Sequence, residues 1–268
     1  MATSYGVQQS TVLASEAESY AEEVRITGVA IVRGVLKPPE TAALAQALDK
    51  IYEAQVQESG GIDRLRRIND ADVVRCPLSV DPIFLDAVRS PKLLDVMRLL
   101  LGEYFILQQQ NGVLNRPSDA HYQRAWHRDL PYQHFTSSRP LAISALIFLD
   151  PFTVETGSTM VLPGSHKIEP FPSEAYVTGH EMSLVGAPGD AAVFDSMLFH
   201  RAGQNRSPNL RRGLNQVYAL PFLGQQISLP RVLGQSVTDA SIRRFLGYEI
   251  EPAGSPGEWR KRRLDKLP

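Results

Sequence analysis

The sequence predicts a mainly β fold with flanking helices: a double-stranded β-helix (jelly roll, cupin-like) with N-terminal helices packed on one sheet. Three observations carry this reading. Clear amphipathic helix patterns fall in the first hundred residues. From Tyr104 onward the texture changes to short β-type runs split by turn residues. Helices come first and strands follow, which is not the alternation of a parallel α/β sheet.

Residues Ser15 to Arg25 read as a short helix, and Gly28 to Val35 as a strand rich in Val and Ile. Pro38-Pro39-Glu40-Thr41 opens a second helix, whose Leu44, Leu48 and Ile51 recur at i, i+4 and i+7 as one buried stripe. The polar stretch from Glu58 to Asp72 reads as an irregular connection, a plausible lid. Ser90-Pro91 starts a third helix as N-cap and first helical residue; Leu93, Leu94, Met97, Leu100 and Leu101 form its apolar face, and Gly102 ends it. Strands are expected at 105–115, 141–149, 158–162, 191–199 and 213–222, with turns at 163–165, 188–190 and 202–205. The tail begins with a short helix near Thr238 and ends in a basic segment. The expected organisation is one domain over 1–268: a helical N-terminal part (1–103), a jelly-roll core (104–225) and a C-terminal tail (226–268).

The chain has 268 residues, 43% hydrophobic and 21% charged, with a formal net charge of -1. That is enough to bury a sizeable core, and it supplies no field to attract nucleic acid or anionic lipid. The first residues lack a basic start followed by an apolar stretch, and no apolar run approaches a membrane span. One cysteine, Cys76, excludes an intramolecular disulfide. The expectation is a cytoplasmic protein, monomer or homodimer, acting on a small molecule, with no nucleic-acid or membrane partner.

Six histidines occur, at 121, 127, 134, 166, 180 and 200. The informative unit is Trp126-His127-Arg128-Asp129. In extended backbone, residues i and i+2 share a face, so His127 and Asp129 can project together into a barrel interior. A further histidine would complete a facial triad with open positions, the arrangement of non-haem Fe(II) oxygenases. His200 is the best placed: it ends the apolar run 191–199 and precedes a turn. His121 and His134 flank the pair and stay open as alternatives. An oxygenase of this kind binds 2-oxoglutarate, whose far carboxylate needs a cation, best a bidentate Arg. A hairpin between 200 and 211 would return Arg211 beside the histidine-bearing strand, with Arg212 on the opposite face. Arg201 and Arg206 read as solvated loop residues. Tyr122, Trp126, Tyr132, Gln133, His134 and Phe135 lie beside the iron segment and are candidates to line a substrate site.

Three segments resemble one known family. His127-Arg128-Asp129-Leu130-Pro131-Tyr132 looks like the iron-binding segment of the phytanoyl-CoA dioxygenase family. The run from Gly157 to Lys167, with Pro163-Gly164-Ser165-His166, is similar to that family's strand and turn. His200 to Ser207, with Arg211 eleven residues after His200, is the third match. The resemblance implies a jelly roll using Fe(II), 2-oxoglutarate and O2. It implies iron ligation by His127, Asp129 and His200, thereby selecting His200 over His121 and His134, and binding of the distal carboxylate of 2-oxoglutarate by Arg211. It also implies a polar co-substrate contact on the strand before the His-X-Asp segment, at Gln110, with Gln108 or Asn111 as alternatives. His166 is implied to be structural. Several relatives carry Ser two residues after the second ligand histidine; here Ala202 stands there, and Thr159 is the candidate to compensate. Related halogenases have a small residue at the Asp129 position, which frees a site for chloride, so Asp129 implies hydroxylation. Two other functions fit a jelly roll: a cupin-like metal-dependent hydrolase or isomerase, and a non-catalytic small-molecule binding module.

Overall fold

The computed structural model describes residues 6–7, 10–117, 122–130, 135–265 and 267. Its strands are β1 (Val29–Val32), β2 (Val73–Arg75), β3 (Ile106–Asn115), β4 (Ala142–Phe148), β5 (Met160–Val161), β6 (Met182–Ser183), β7 (Ala191–Asp195), β8 (His200–Arg201) and β9 (Arg211–Ala219). They form a six-stranded antiparallel sheet, in the order β1-β7-β4-β9-β3-β2, and a three-stranded sheet, β6-β5-β8. This is the jelly-roll arrangement that the strand and turn pattern predicts.

The N-terminal helices are α1 (Glu16–Thr27), α2 (Pro38–Glu58), α3 (Ile62–Arg67), α4 (Ile83–Val88) and α5 (Pro91–Leu101). Local chemistry sets their ends. Ser15 Oγ accepts from the Glu18 amide at 3.2 Å to start α1, and Gly28 ends it at φ 92°. Gly102, at φ 87°, ends α5. Leu44 and Leu48 of α2, Phe84 of α4 and Leu93 and Met97 of α5 pack in one cluster with Leu107, Leu114, Ile143, Ile147, Val193 and Leu214 of the large sheet. Each such side chain contributes roughly 1.5–3 kcal/mol on burial. At Gly112 a Cβ would lie 2.5 Å from Leu48, so α2 sits directly on the sheet. Later helices are α6 (Glu174–His180), α7 (Leu229–Leu233), α8 (Ala240–Phe245) and α9 (Pro256–Leu264). Among the described residues no helix is long and apolar enough to cross a membrane.

Strand alternation fixes what remains for the other face of the large sheet. Leu114, Leu214 and Ile147 face the helices. Val113, Leu146, Arg211 and Asn215 therefore face the small sheet, and all four line a cavity there.

Two expectations change. The polar stretch before Asp72 contains α3, held by three arginines near its C-terminus and buried Leu65. The run 191–199 is not one strand. It breaks after Asp195, whose carboxylate accepts from the Met197 amide at 2.9 Å and whose carbonyl accepts from Leu198 at 2.8 Å. Met197, Leu198 and Phe199 are buried, so Asp195-Ser196 is the turn's one polar mark in an otherwise apolar run. The chain thereby passes from the large sheet to the small one, and His200 begins a strand where it was expected to end one.

Gly189, just ahead of β7, holds the connection between β1 and α2. It stands at φ +91°, its carbonyl accepts from the Leu36 amide at 3.0 Å, and a Cβ there would meet the Leu36 carbonyl oxygen at 2.4 Å. Gly189→Ala is expected to cost about 1–3 kcal/mol, read as a lower urea midpoint at unchanged m-value.

Candidate metal centre

Three side chains converge between the sheets. His127 and His200 form an isolated antiparallel bridge, the amide of each donating to the carbonyl of the other at 3.0 Å. Asp129 is fixed two residues on, its amide donating to the Ser196 carbonyl at 3.0 Å. Arg128 points the opposite way. Its Nε donates to the Met197 carbonyl at 2.7 Å, and its guanidinium lies 3.9 Å from the centre of the Phe199 ring. The turn at 163–166 takes part: Ser165 Oγ accepts from the Phe199 amide at 2.9 Å, and its carbonyl accepts from Arg128 Nη2 at 3.0 Å. The Pro-Gly-Ser-His turn therefore braces the backbone that carries the triad. His166 is buried beneath α1's terminal Gly28, where a Cβ would lie 2.6 Å from its Nδ1.

One ligand atom from each of His127, Asp129 and His200 lies within 4.8 Å of the others. Each imidazole places Nδ1 against the carbonyl two residues before it, Ala125 at 2.9 Å and Leu198 at 3.0 Å. A carbonyl only accepts, so Nδ1 carries the proton and Nε2 keeps its lone pair. Nε2 of His127 is shielded from solvent and has no partner among the described residues. Asp129 Oδ2 accepts from Ser144 Oγ at 2.5 Å, and Ser144 Oγ lies 2.8 Å from Ser196 Oγ. Burial would raise the Asp129 pKa, but His200, His127 and the Ser144 hydroxyl outweigh it and hold the carboxyl well below the usual range. Burial together with its neighbour His200 lowers the His127 pKa. At His200 burial also lowers it, but Asp129, 3.4 Å away, prevails and raises it. Two imidazoles that turn Nε2 inward and one carboxylate, with outer nitrogens and oxygen already satisfied, fit a divalent cation, which would displace any proton from His200 Nε2.

Arg211 enters the same cavity from β9. It is 2% exposed and has no carboxylate partner among the described residues; Nη2 donates to the Gly157 carbonyl at 2.9 Å and Nε has no partner. Its guanidinium stands 4.3 Å from the Phe152 ring centre. Burial pushes its pKa down to about 9, with Asp150 opposing in part. Gly157 is held in turn: Asn115 Nδ2 donates to the carbonyls of Gly157 and Gly203 at 3.0 and 2.9 Å. A Cβ at Gly157 would lie 2.5 Å from the Asn205 amide nitrogen. Arg212 turns outward to Asp49 and Asp150, as alternation predicts. The connection from His200 to Arg211 is not a hairpin, however: β8 pairs with β5, and β9 pairs with β3 and β4.

Other candidates divide. Thr159 and Ala202 line the cavity. Gln110 does not. It faces the helices, its amide accepting from Leu78 at 3.2 Å and donating to the Phe84 carbonyl at 3.0 Å. Gln108 bonds the Gly224 carbonyl, and Asn111 lies 3.0 Å from Gln226. Trp126 sits on the reverse face from His127, against Phe171 and under Arg201, which pairs with Glu181. His121, Tyr132, Gln133 and His134 lie outside the described residues, as does the side chain of Tyr122. Sequence reasoning missed Gln123, Leu146, Phe194 and Asn215 in the cavity wall, and Ser144 behind Asp129. The lone Ser in the apolar run 141–149 was the available signal.

The model of the phytanoyl-CoA dioxygenase family matches residues 24–213. The chain belongs to that family. It is a non-haem iron and 2-oxoglutarate-dependent oxygenase of the family. An uncharacterized protein of Mycobacterium tuberculosis is 32% identical over 85% of both chains. A probable alpha-ketoglutarate-dependent hypophosphite dioxygenase of Stutzerimonas stutzeri is 28% identical over 70% of this chain and 71% of its own. A solved non-heme monooxygenase, the ThoJ-Ni complex, shares the fold with TM-score 0.60 at 21% identity, over 78% of this chain and 80% of its own.

Ser144→Ala removes the hydroxyl that orients Asp129 and leaves the apolar neighbours of β4 in place. Metal affinity is expected to fall roughly 10–100-fold, measured by Co(II) titration, with the melting temperature of the apoprotein little changed.

Proposed function

We propose that the chain oxidises an unactivated C–H bond of a small-molecule metabolite by hydroxylation, with His127, Asp129 and His200 holding Fe(II) and Arg211 holding the distal carboxylate of 2-oxoglutarate. The observation that carries the reading is Arg211: a buried guanidinium with no carboxylate partner among the described residues, in the cavity that the triad lines. A buried cation is costly unless it is paired, and a diacid chelating at the triad brings the missing carboxylate. The similarity to a probable alpha-ketoglutarate-dependent dioxygenase of Stutzerimonas stutzeri supports the same co-substrate.

When bound, iron and 2-oxoglutarate supply O2 activation, with the co-substrate leaving as succinate and CO2. The chain's own residues do the rest. The protonated Nδ1 atoms of His127 and His200 stay on backbone carbonyls and aim Nε2 inward. Asp129, held by Ser144, fills a coordination position with a carboxylate and leaves no room there for chloride. Arg211, steered by Gly157 and Phe152, sets the direction from which the co-substrate enters. Val113, Leu146 and Phe194 exclude water from the reacting side. The proposed setting is the cytoplasm, as a monomer or homodimer.

Anaerobic titration of the Fe(II) protein with 2-oxoglutarate tests the reading. A weak visible charge-transfer band should appear in the wild type. Arg211→Leu should bind 2-oxoglutarate roughly a hundredfold more weakly while still binding Fe(II). Full 2-oxoglutarate affinity in that variant contradicts the assignment. Asp129→Ala should abolish 2-oxoglutarate-dependent succinate formation; retained activity would remove Asp129 from the site.

A further inference from the structure

We infer that Asn215 is a co-substrate residue: its side-chain amide hydrogen-bonds the keto-acid end of 2-oxoglutarate between Arg211 and the metal ligands. This rests on the 2-oxoglutarate reading above.

Asn215 lies on β9, four residues after Arg211, and by strand alternation shares its face. Both line the same cavity. The register gives its height. Asn215 pairs with Leu146 of β4, and the next rung on that face is Val217 with Ser144, whose hydroxyl holds Asp129. Asn215 therefore stands on the wall between the guanidinium at one end and the carboxylate ligand at the other. A diacid gripped at both ends passes this rung.

The side chain is uncommitted. Its Oδ1 is shielded from solvent and without a partner, and the side chain makes no hydrogen bond to any described residue. A carboxamide kept that way in a folded protein loses free energy that a ligand can return. Gln110, Gln108 and Asn111 face other partners, so Asn215 is the carboxamide of β3 and β9 that lines the cavity. Its amide can turn its NH2 toward a carboxylate. Neutrality matters as well. A divalent metal with Asp129, and Arg211 with a dianion, already cancel in charge. A further contact adds no unbalanced charge only if it is neutral.

The test is anaerobic titration of the wild type, Asn215→Leu and Asn215→Asp with Fe(II), then with 2-oxoglutarate. Asn215→Leu should keep its Fe(II) affinity and lose about tenfold in 2-oxoglutarate affinity. Asn215→Asp should lose more, because a second carboxylate faces the co-substrate's own. If both variants bind 2-oxoglutarate as the wild type does, the inference is overturned. Parallel loss of Fe(II) and 2-oxoglutarate affinity in Asn215→Leu also overturns it, since that marks a structural role. Should Asn215→Leu fail to fold, Asn215→Ser carries the same expectation. Failure of the wild type to develop the band refutes the parent reading instead.

Discussion

Two backbone hydrogen bonds between His127 and His200 hold the metal centre together. The two residues come from segments 73 positions apart and belong to no common long strand; this bridge sets them side by side, with Asp129 to Ser196 and Ala202 to Gln123 bonding the same two segments on either side of it. It also fixes their chemistry. Each ring is pinned through Nδ1 by the carbonyl two residues before it, so the bridge that sets the backbone sets the tautomer too. Asp129 then falls on the same face, because residues i and i+2 point alike; Ser196 anchors its amide and Ser144 its carboxylate. The outward-facing Arg128 and the turn at Ser165 stiffen the reverse side of the same segment.

The co-substrate side is built differently. Arg211 belongs to the large sheet, and its direction comes from close backbone approach between two turns. Asn115 gathers the carbonyls of Gly157 and Gly203, and a Cβ at Gly203 would lie 2.3 Å from the Ser158 carbonyl oxygen. The family-like stretches at 157–167 and 200–207 are thus explained by geometry: glycine where backbones touch, asparagine where carbonyls need donors. The site pairs a small sheet that carries metal ligands with a large sheet that carries the cation, and the helices pack against the far face of the large sheet.

Much of this was legible in the sequence. The period of two made His127 and Asp129 a pair and separated Arg211 from Arg212. Ser90-Pro91 and Gly102 marked the two ends of α5. Other features were not legible, for physical reasons. Parity along β3 cannot be read without knowing which residue faces the helices, and the register shift between Leu107 and Gln109 breaks the alternation near its start; Gln110 was therefore given to the wrong face. The turn at 196–199 buries Met197, Leu198 and Phe199, so its apolar run read as strand despite Ser196. Ser144 and Asn215 matter through what lies across from them; the lone Ser in an apolar strand marks Ser144 as unusual, but no local pattern says what it or Asn215 faces.

Iron-edge anomalous diffraction from crystals grown anaerobically with Fe(II) and 2-oxoglutarate tests the central claim most directly. The account predicts one iron within about 2.0–2.2 Å of His127 Nε2, an Asp129 oxygen and His200 Nε2, with the co-substrate's far carboxylate on Arg211. Iron held by another histidine set, or a co-substrate turned away from Arg211, would contradict it.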